Sequence, residues 1–248
     1  MRTWICAALA LASCKSADDP ARPPAESPPA PARTPVASAT PPDAATLKGH
    51  MREHFAAVSE LQRAIARGHL DEAKQLADWL GSHDETLLDG WQPYVDELKA
   101  AAAAVHDAKD LPVAAALAGR LARACSKCHE ARSATVAFAW LPAPDDQPTL
   151  ETQMKRHQWA AARMWEGLVG PSDELWDQGT RTLAATQLDL VAAGGSGRGD
   201  ITALARRVSE LAKQGAKITD QDERARWYGE LLSTCAGCHT LARPQPVP

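Results

Sequence analysis

The stretch LKGHMREHFAAVSELQRAI, residues 47–65, decides the fold. Leu47, Met51, His54, Val58, Leu61 and Ile65 follow one another at spacings of 4, 3, 4, 3 and 4, which is one face of an α-helix. Shifted by 103 positions, the stripe returns as Leu150, Met154, His157, Ala161, Met164 and Leu168. Each stripe stops at a glycine, Gly68 or Gly170. Each is followed by an acidic pair, Asp71-Glu72 or Asp173-Glu174, suited to a helix N-terminus. Both halves then close on one string: Cys125-Ser126-Lys127-Cys128-His129 and Cys235-Ala236-Gly237-Cys238-His239.

Working outward from the stripes, the pattern predicts four helices in each half. The first set covers 47–67, 70–81, 93–107 and 111–132, and the second 149–168, 172–192, 200–217 and 220–241. Pro93 and Pro112 fall near first-turn positions, Asp110, Asp200 and Asp220 serve as caps, and Gly194-Gly195-Ser196-Gly197 is a loop. Alanine is abundant while Val, Ile, Tyr and Phe are scarce, so no segment reads as a strand. The expected fold class is all-α: two tandem antiparallel four-helix bundles, each with a CxxCH string near the end of its last helix. The first unit spans 47–140 and the second 149–243, with a proline-bearing linker at 141–148 and a tail at 244–248.

The chain has 248 residues, 45% hydrophobic and 23% charged, with a net charge of −4. This is ordinary globular composition without a basic field, and it excludes a disordered or nucleic-acid-binding chain. Met1-Arg2 precedes an apolar run, Thr3 to Ala12, far shorter than the roughly 20 residues that span a bilayer. Residues 1–13 read as a signal peptide. The run ends in Leu11-Ala12-Ser13-Cys14, which resembles the lipobox of bacterial lipoproteins. That resemblance implies that Cys14 is lipidated and is the first mature residue; ordinary cleavage near Ala12 is the alternative. The expected location is periplasmic, with the lipid as the contact to the membrane. Lys15, in place of the usual retention aspartate, points to the outer membrane. Residues 14–46 hold nine of the 18 prolines and read as a tether without a core.

Two cysteines at i and i+3 on a helix, with histidine at i+4, turn three side chains toward one planar ligand. This is the spacing of c-type haem attachment, where two thioethers hold the porphyrin edge and the histidine binds iron. A thioredoxin-like pair calls for a sheet that is absent. A four-cysteine zinc site would join strings 106 residues apart, and disulfides leave the paired histidines unexplained. The expected cofactors are therefore two covalently bound haem c groups. Cys125, Cys128, Cys235 and Cys238 would be the attachment points, and His129 and His239 the proximal ligands. With Cys6 in the signal peptide and Cys14 lipidated, no cysteine is left over.

A four-helix bundle with CxxCH near the end of its last helix resembles the class II cytochromes c, the cytochrome c prime group and its low-spin relatives. The resemblance implies a haem inside each bundle with a first-helix residue facing the iron: methionine in most low-spin members, an apolar bystander in five-coordinate ones. The chain departs from that pattern in its duplication and in carrying MxxH on both first helices, Met51 with His54 and Met154 with His157. His54 and His157 are preferred as distal ligands, with Met51 and Met154 as the alternatives. Counting back from Gly68 lands nearer Met51. His50 faces Gln153 in the repeat, while His69, His83 and His106 lack counterparts and read as solvent-facing. Trp159, Trp165 and Trp227 are candidate pocket walls or plain core. Arg120, Arg123, Arg132, Arg224, Arg226 and Arg243 cluster around the strings with no individual role.

The implied function is single-electron transfer between redox partner proteins, without substrate chemistry and so not as an enzyme. The alternative is a five-coordinate, NO- or CO-binding cytochrome c prime-like protein. A di-haem peroxidase would need asymmetric distal sites with acid–base groups at one iron.

Overall fold

The computed structural model describes residues 43–88, 90–188 and 198–242. The expected signal peptide, Cys14, the expected tether up to residue 42, the expected glycine loop at 194–197, Arg243 and the expected tail at 244–248 lie outside them.

Among the described residues the chain is helical without strands: α1 (Ala44–Ala66), α2 (Leu70–Ser82), α3 (Gln92–His106), α4 (Leu111–Ala131), α5 (Leu150–Val169), α6 (Asp173–Ala185), α7 (Arg198–Gly215) and α8 (Gln221–Ala242). A single 3-10 turn, Thr86–Leu88, lies between α2 and α3. None of the described helices is long and apolar enough to cross a membrane.

The local signals explain most of the boundaries. Gly68 takes φ 76. Its N–H donates to Ile65 O and that of His69 to Ala64 O, both at 2.8 Å, a left-handed stop that glycine alone adopts without strain. Asp110 Oδ1 accepts from Val113 N at 2.9 Å and Asp220 Oδ1 from Glu223 N at 2.8 Å, satisfying orphan donors of α4 and α8. Three boundaries differ from expectation. Asp43 caps α1 by accepting from Ala45 and Thr46, so residues 43–46 belong to the first helix and not to the tether. Asp200 lies within the first turn of α7. The helix expected over 172–192 stops at Ala185, because Thr186 is claimed by other partners: its hydroxyl accepts from Arg156 Nε at 3.2 Å and its carbonyl faces His157.

Within each half, consecutive helices pack on one another, α1 on α2, α2 on α3, α3 on α4, and likewise from α5 to α8. The halves meet along α4 and α8, and their buried residues form one continuous hydrophobic cluster. The meeting is backbone against backbone. A Cβ on Gly119 would stand 2.2 Å from Ala225 O, and one on Gly229 would stand 2.8 Å from Ala116 Cα and 3.1 Å from Ala115 O. Together with the Arg123 Nε to Asp222 Oδ1 bond at 3.0 Å, these pairings make α4 and α8 antiparallel. They are also reciprocal. Gly119 and Gly229 occupy the same place in the two repeats, and so do Ala115 and Ala225, so each glycine meets the alanine of the other helix. Carried along at 1.5 Å per residue, this register sets Cys125 and Cys235 roughly 24 Å apart along the helix axis, toward opposite ends of the pair.

Candidate functional site

Each CxxCH string forms the last turns of its helix, Cys125–His129 in α4 and Cys235–His239 in α8. Residues 121–130 and 231–240 alternate between buried and half-buried in one identical order, so the two strings occupy equivalent environments. Cys125 and Cys235 pack against the hydrophobic cluster. All four cysteines are thiols rather than disulfides. Burial pushes the Cys125 and Cys235 thiols up to about 12, with their string partners adding to it, and raises Cys128 and Cys238 as well. Protonated thiols are poor nucleophiles, which disfavours dithiol exchange. The same burial suits attachment of an apolar porphyrin edge.

His129 is half-buried with its Nδ1 2.9 Å from Val169 O at the end of α5. A carbonyl only accepts, so Nδ1 carries the proton and Nε2 keeps its lone pair. Buried histidine ligands are commonly held this way, the ring fixed through one nitrogen so that the other can bind a metal. Burial depresses the His129 pKa, partly offset by the Val169 bond, so the ring is neutral at neutral pH. The donor set of the first string therefore fits a covalently held haem, and the second string matches it in residue type and burial.

The two halves part company on the side facing the strings. In the second, His157 Nε2 lies 3.4 Å from Thr186 O. Its pKa is lowered by burial and, further, by the proximity of His239, while the Thr186 bond raises it. The charge of His239 is thus felt at His157. In the first half His54 is drawn elsewhere. It stands with His50, His83 and Glu85: His50 Nε2–H donates to Glu85 Oε2 at 2.8 Å, and His54 Nε2 lies 3.0 Å from Glu85 Oε1. The rings of His50 and His54 are 4.5 Å apart and that of His83 is 5.1 Å from His50, with Trp79 against His83 at 4.1 Å. Burial takes the His54 pKa down to about 4, against the opposing charge of Glu85. Met51 and Met154 are both half-buried on their stripes.

The remaining expectations resolve as follows. His69 and His106 are exposed, whereas His83 is not solvent-facing, its side chain being only 20% exposed. Trp165 and Trp227 are core, Trp227 against Trp176 at 5.4 Å and Trp165 against Tyr228 at the same distance. Trp159 donates to Leu141 O. Arg123 bridges Glu130 and Asp222, Arg224 bonds Asp173 and Ile218 O, and Arg132 lies over Trp91. Arg120 and Arg226 are exposed.

Glu85 and the grouping of His50 with His83 escape a reading by repeats, because such a reading keeps only what both halves share. The available signal is the i, i+4 spacing of His50 and His54 on one helix face. Comparison of the chain with protein-family models, with curated proteins and with solved structures finds no match.

Proposed function

We propose that the chain is a di-haem c-type cytochrome, two tandem four-helix haem units in one chain, that carries single electrons on the periplasmic side of a membrane to which Cys14 anchors it. The observation that carries this reading is the doubled CxxCH string set in one burial pattern at the ends of α4 and α8.

Cys125 with Cys128, and Cys235 with Cys238, would form the thioether bonds. His129 and His239 would be the proximal ligands. Each haem, when bound, supplies an iron that gains or loses one electron. The chain does the rest. The carbonyl of Val169 fixes the His129 ring so that Nε2 is presented as a donor, and burial keeps it neutral. Leu121, Ala122 and Ala124 on α4 and Leu231, Leu232 and Ala236 on α8 keep water from the strings. A low-dielectric surround of this kind is one of the levers that set a haem potential. His157, at which the charge of His239 is felt, would be the second protein ligand in the second unit, with Met154, one turn before it, as the alternative. In the first unit the candidates are His54 and Met51. Two side chains on each iron leave no room for substrate, which is why electron transfer fits better than catalysis.

The engagement of His54 with Glu85 favours a second reading for the first unit alone: an iron without a sixth ligand that takes up NO or CO. Absorption and electron paramagnetic resonance spectra of the purified protein, before and after reduction and CO, separate the two. Two low-spin haems per chain indifferent to CO are expected. High-spin iron that binds CO in both units would replace the electron carrier with a gas-binding protein, and a chain purified with no covalent haem refutes the proposal outright. Mass spectrometry of the mature chain should show two haems and a lipidated N-terminus at Cys14.

A further inference from the structure

The first half holds a second constellation that the CxxCH chemistry does not use. His50 and His54 are one turn apart on α1, His83 follows the end of α2, and Glu85 precedes the 3-10 turn that aims its carboxylate inward. One nitrogen from each histidine lies within 4.8 Å of the other two. The side chains of His50 and Glu85 are each 5% exposed, and that of His54 is 11% exposed.

The decisive detail is a pair of orphaned atoms. His54 Nε2 and Glu85 Oε1 are buried and 3.0 Å apart, yet poorly aligned for a hydrogen bond with each other and with no other polar neighbour to satisfy them. Their separation is that of a good hydrogen bond while their geometry is not. A buried carboxylate oxygen left unsatisfied costs on the order of 1–3 kcal/mol, a cost that a cation bound between the two atoms would offset. Two lone pairs converging from different chain segments are the arrangement that a cation completes.

We propose that His50, His54, His83 and Glu85 bind one divalent transition-metal cation of the zinc type. Three imidazoles and one carboxylate are a borderline donor set that suits zinc over calcium or magnesium, which take oxygen ligands. Tetrahedral coordination at bond lengths of about 2.0–2.1 Å puts neighbouring donors roughly 3.3 Å apart. The His54–Glu85 and His50–Glu85 distances are already close to this, while the histidine nitrogens, within 4.8 Å of one another, and the Glu85 carboxylate must draw together around the ion. His50 becomes a donor by moving its proton from Nε2 to Nδ1, so the ligand set needs no net loss of protons. The carboxylate of Glu53, 3.8 Å from His83 Nε2, sits at the rim, where it offsets the cation's remaining charge. Trp79 closes one side against His83 and His54.

The site depends on the fold and not on the haem reading. Where both hold, His54 belongs to the cation and Met51 becomes the distal ligand of the first haem. The test uses the full chain as purified, stripped with a chelator and titrated with zinc alone. Zinc and iron are counted separately by elemental mass spectrometry, so the iron count reports on haem independently of the zinc count. One zinc per chain is expected. Removing outer-shell partners of a metal typically weakens binding by roughly 10–100-fold, and His50→Ala or His83→Ala, which remove ligands, should exceed that. Exposed controls His69→Ala and His106→Ala should bind as the parent does. Zinc should raise the melting temperature of the parent but not of Glu85→Gln, which keeps the shape of the side chain and answers the case of an alanine variant that fails to fold. No zinc uptake by the parent, or uptake equal in parent, His50→Ala and His83→Ala, overturns the proposal.

Discussion

Replacing Gly119 with alanine tests the α4/α8 seam on which the placement of both strings depends. The new Cβ would stand 2.2 Å from Ala225 O and 3.1 Å from Ala225 C. Both are backbone atoms, so no rotamer relieves the clash, and α8 must retreat by roughly 1 Å to reach ordinary contact. A retreat of that size forfeits a quarter to a half of the dispersion well for each atom pair it separates. The pairs lie along fully buried Ala115, Ala118, Leu121 and Ala122. Overpacking of this kind costs about 3 kcal/mol, and alanine's better helix propensity returns about 1 kcal/mol. The expected net loss is therefore about 2 kcal/mol. Gly229→Ala meets its nearest atom at 2.8 Å and should lose less. One separation of the helices relieves both clashes, so the double variant should lose less than the two single losses added together. Denaturant midpoints at unchanged m-value measure all three. A Gly119→Ala protein as stable as its parent, or strictly additive losses, would mean that the helices do not meet at these glycines.

Other perturbations have equally definite outcomes. Ser133 ends α4 at φ 51, so Ser133→Gly should stabilise the protein by up to about 1 kcal/mol, read as a raised denaturant midpoint. Burial raises the Glu166 carboxyl to about 7, against the pull of Arg163. The folded chain therefore holds a proton that the unfolded chain has released above the ordinary value of 4.5, and the stability Glu166 contributes is full below that value and is lost as pH rises through 7. The melting temperature of Glu166→Gln minus that of the parent should accordingly grow between pH 4.5 and 7 and stay level above; a flat difference would refute it. Arg224, 3% exposed, donates to Asp173 and to Ile218 O over the face of Trp176. Arg224→Met should cost roughly 1–3 kcal/mol by orphaning that carbonyl, measured by the same unfolding curves. On the di-haem proposal, His157→Ala should alter the spectrum of one haem out of two while Met154→Leu leaves both unchanged; the reverse result would hand the ligand role to Met154.

Much of the helical framework is legible in the chain because it rests on local chemistry. The 4-3-4-3-4 stripes, the glycine at 68 and the caps at 110 and 220 each act within one or two turns, and the helices appear where those signals put them. The early end of α6 is different: nothing near Ala185 in sequence forbids more helix, and Thr186 leaves it for partners on α5. The strings themselves are readable because their spacing is chemistry. The company His54 keeps is not, since Glu85 and His83 come from the connection after α2, whose path is set by tertiary packing. The seam was written in small residues, Ala115 with Gly119 and Ala225 with Gly229, but such a pattern does not name its partner until the helices are seen crossing.

The reciprocity of that seam has a consequence for how the molecule is put together. Equivalent residues that meet one another in exchange are the signature of an isologous contact, the kind that closes a twofold dimer. The chain is thus a dimer written once, its two copies bound by a peptide instead of by concentration. A linked pair of this sort cannot dissociate on dilution, and its surfaces are released from the requirement to stay identical. The two copies accordingly differ here, His50, His83 and Glu85 standing in one and Gln153 taking the place of His50 in the other. The antiparallel seam also turns the two strings toward opposite poles of the helix pair.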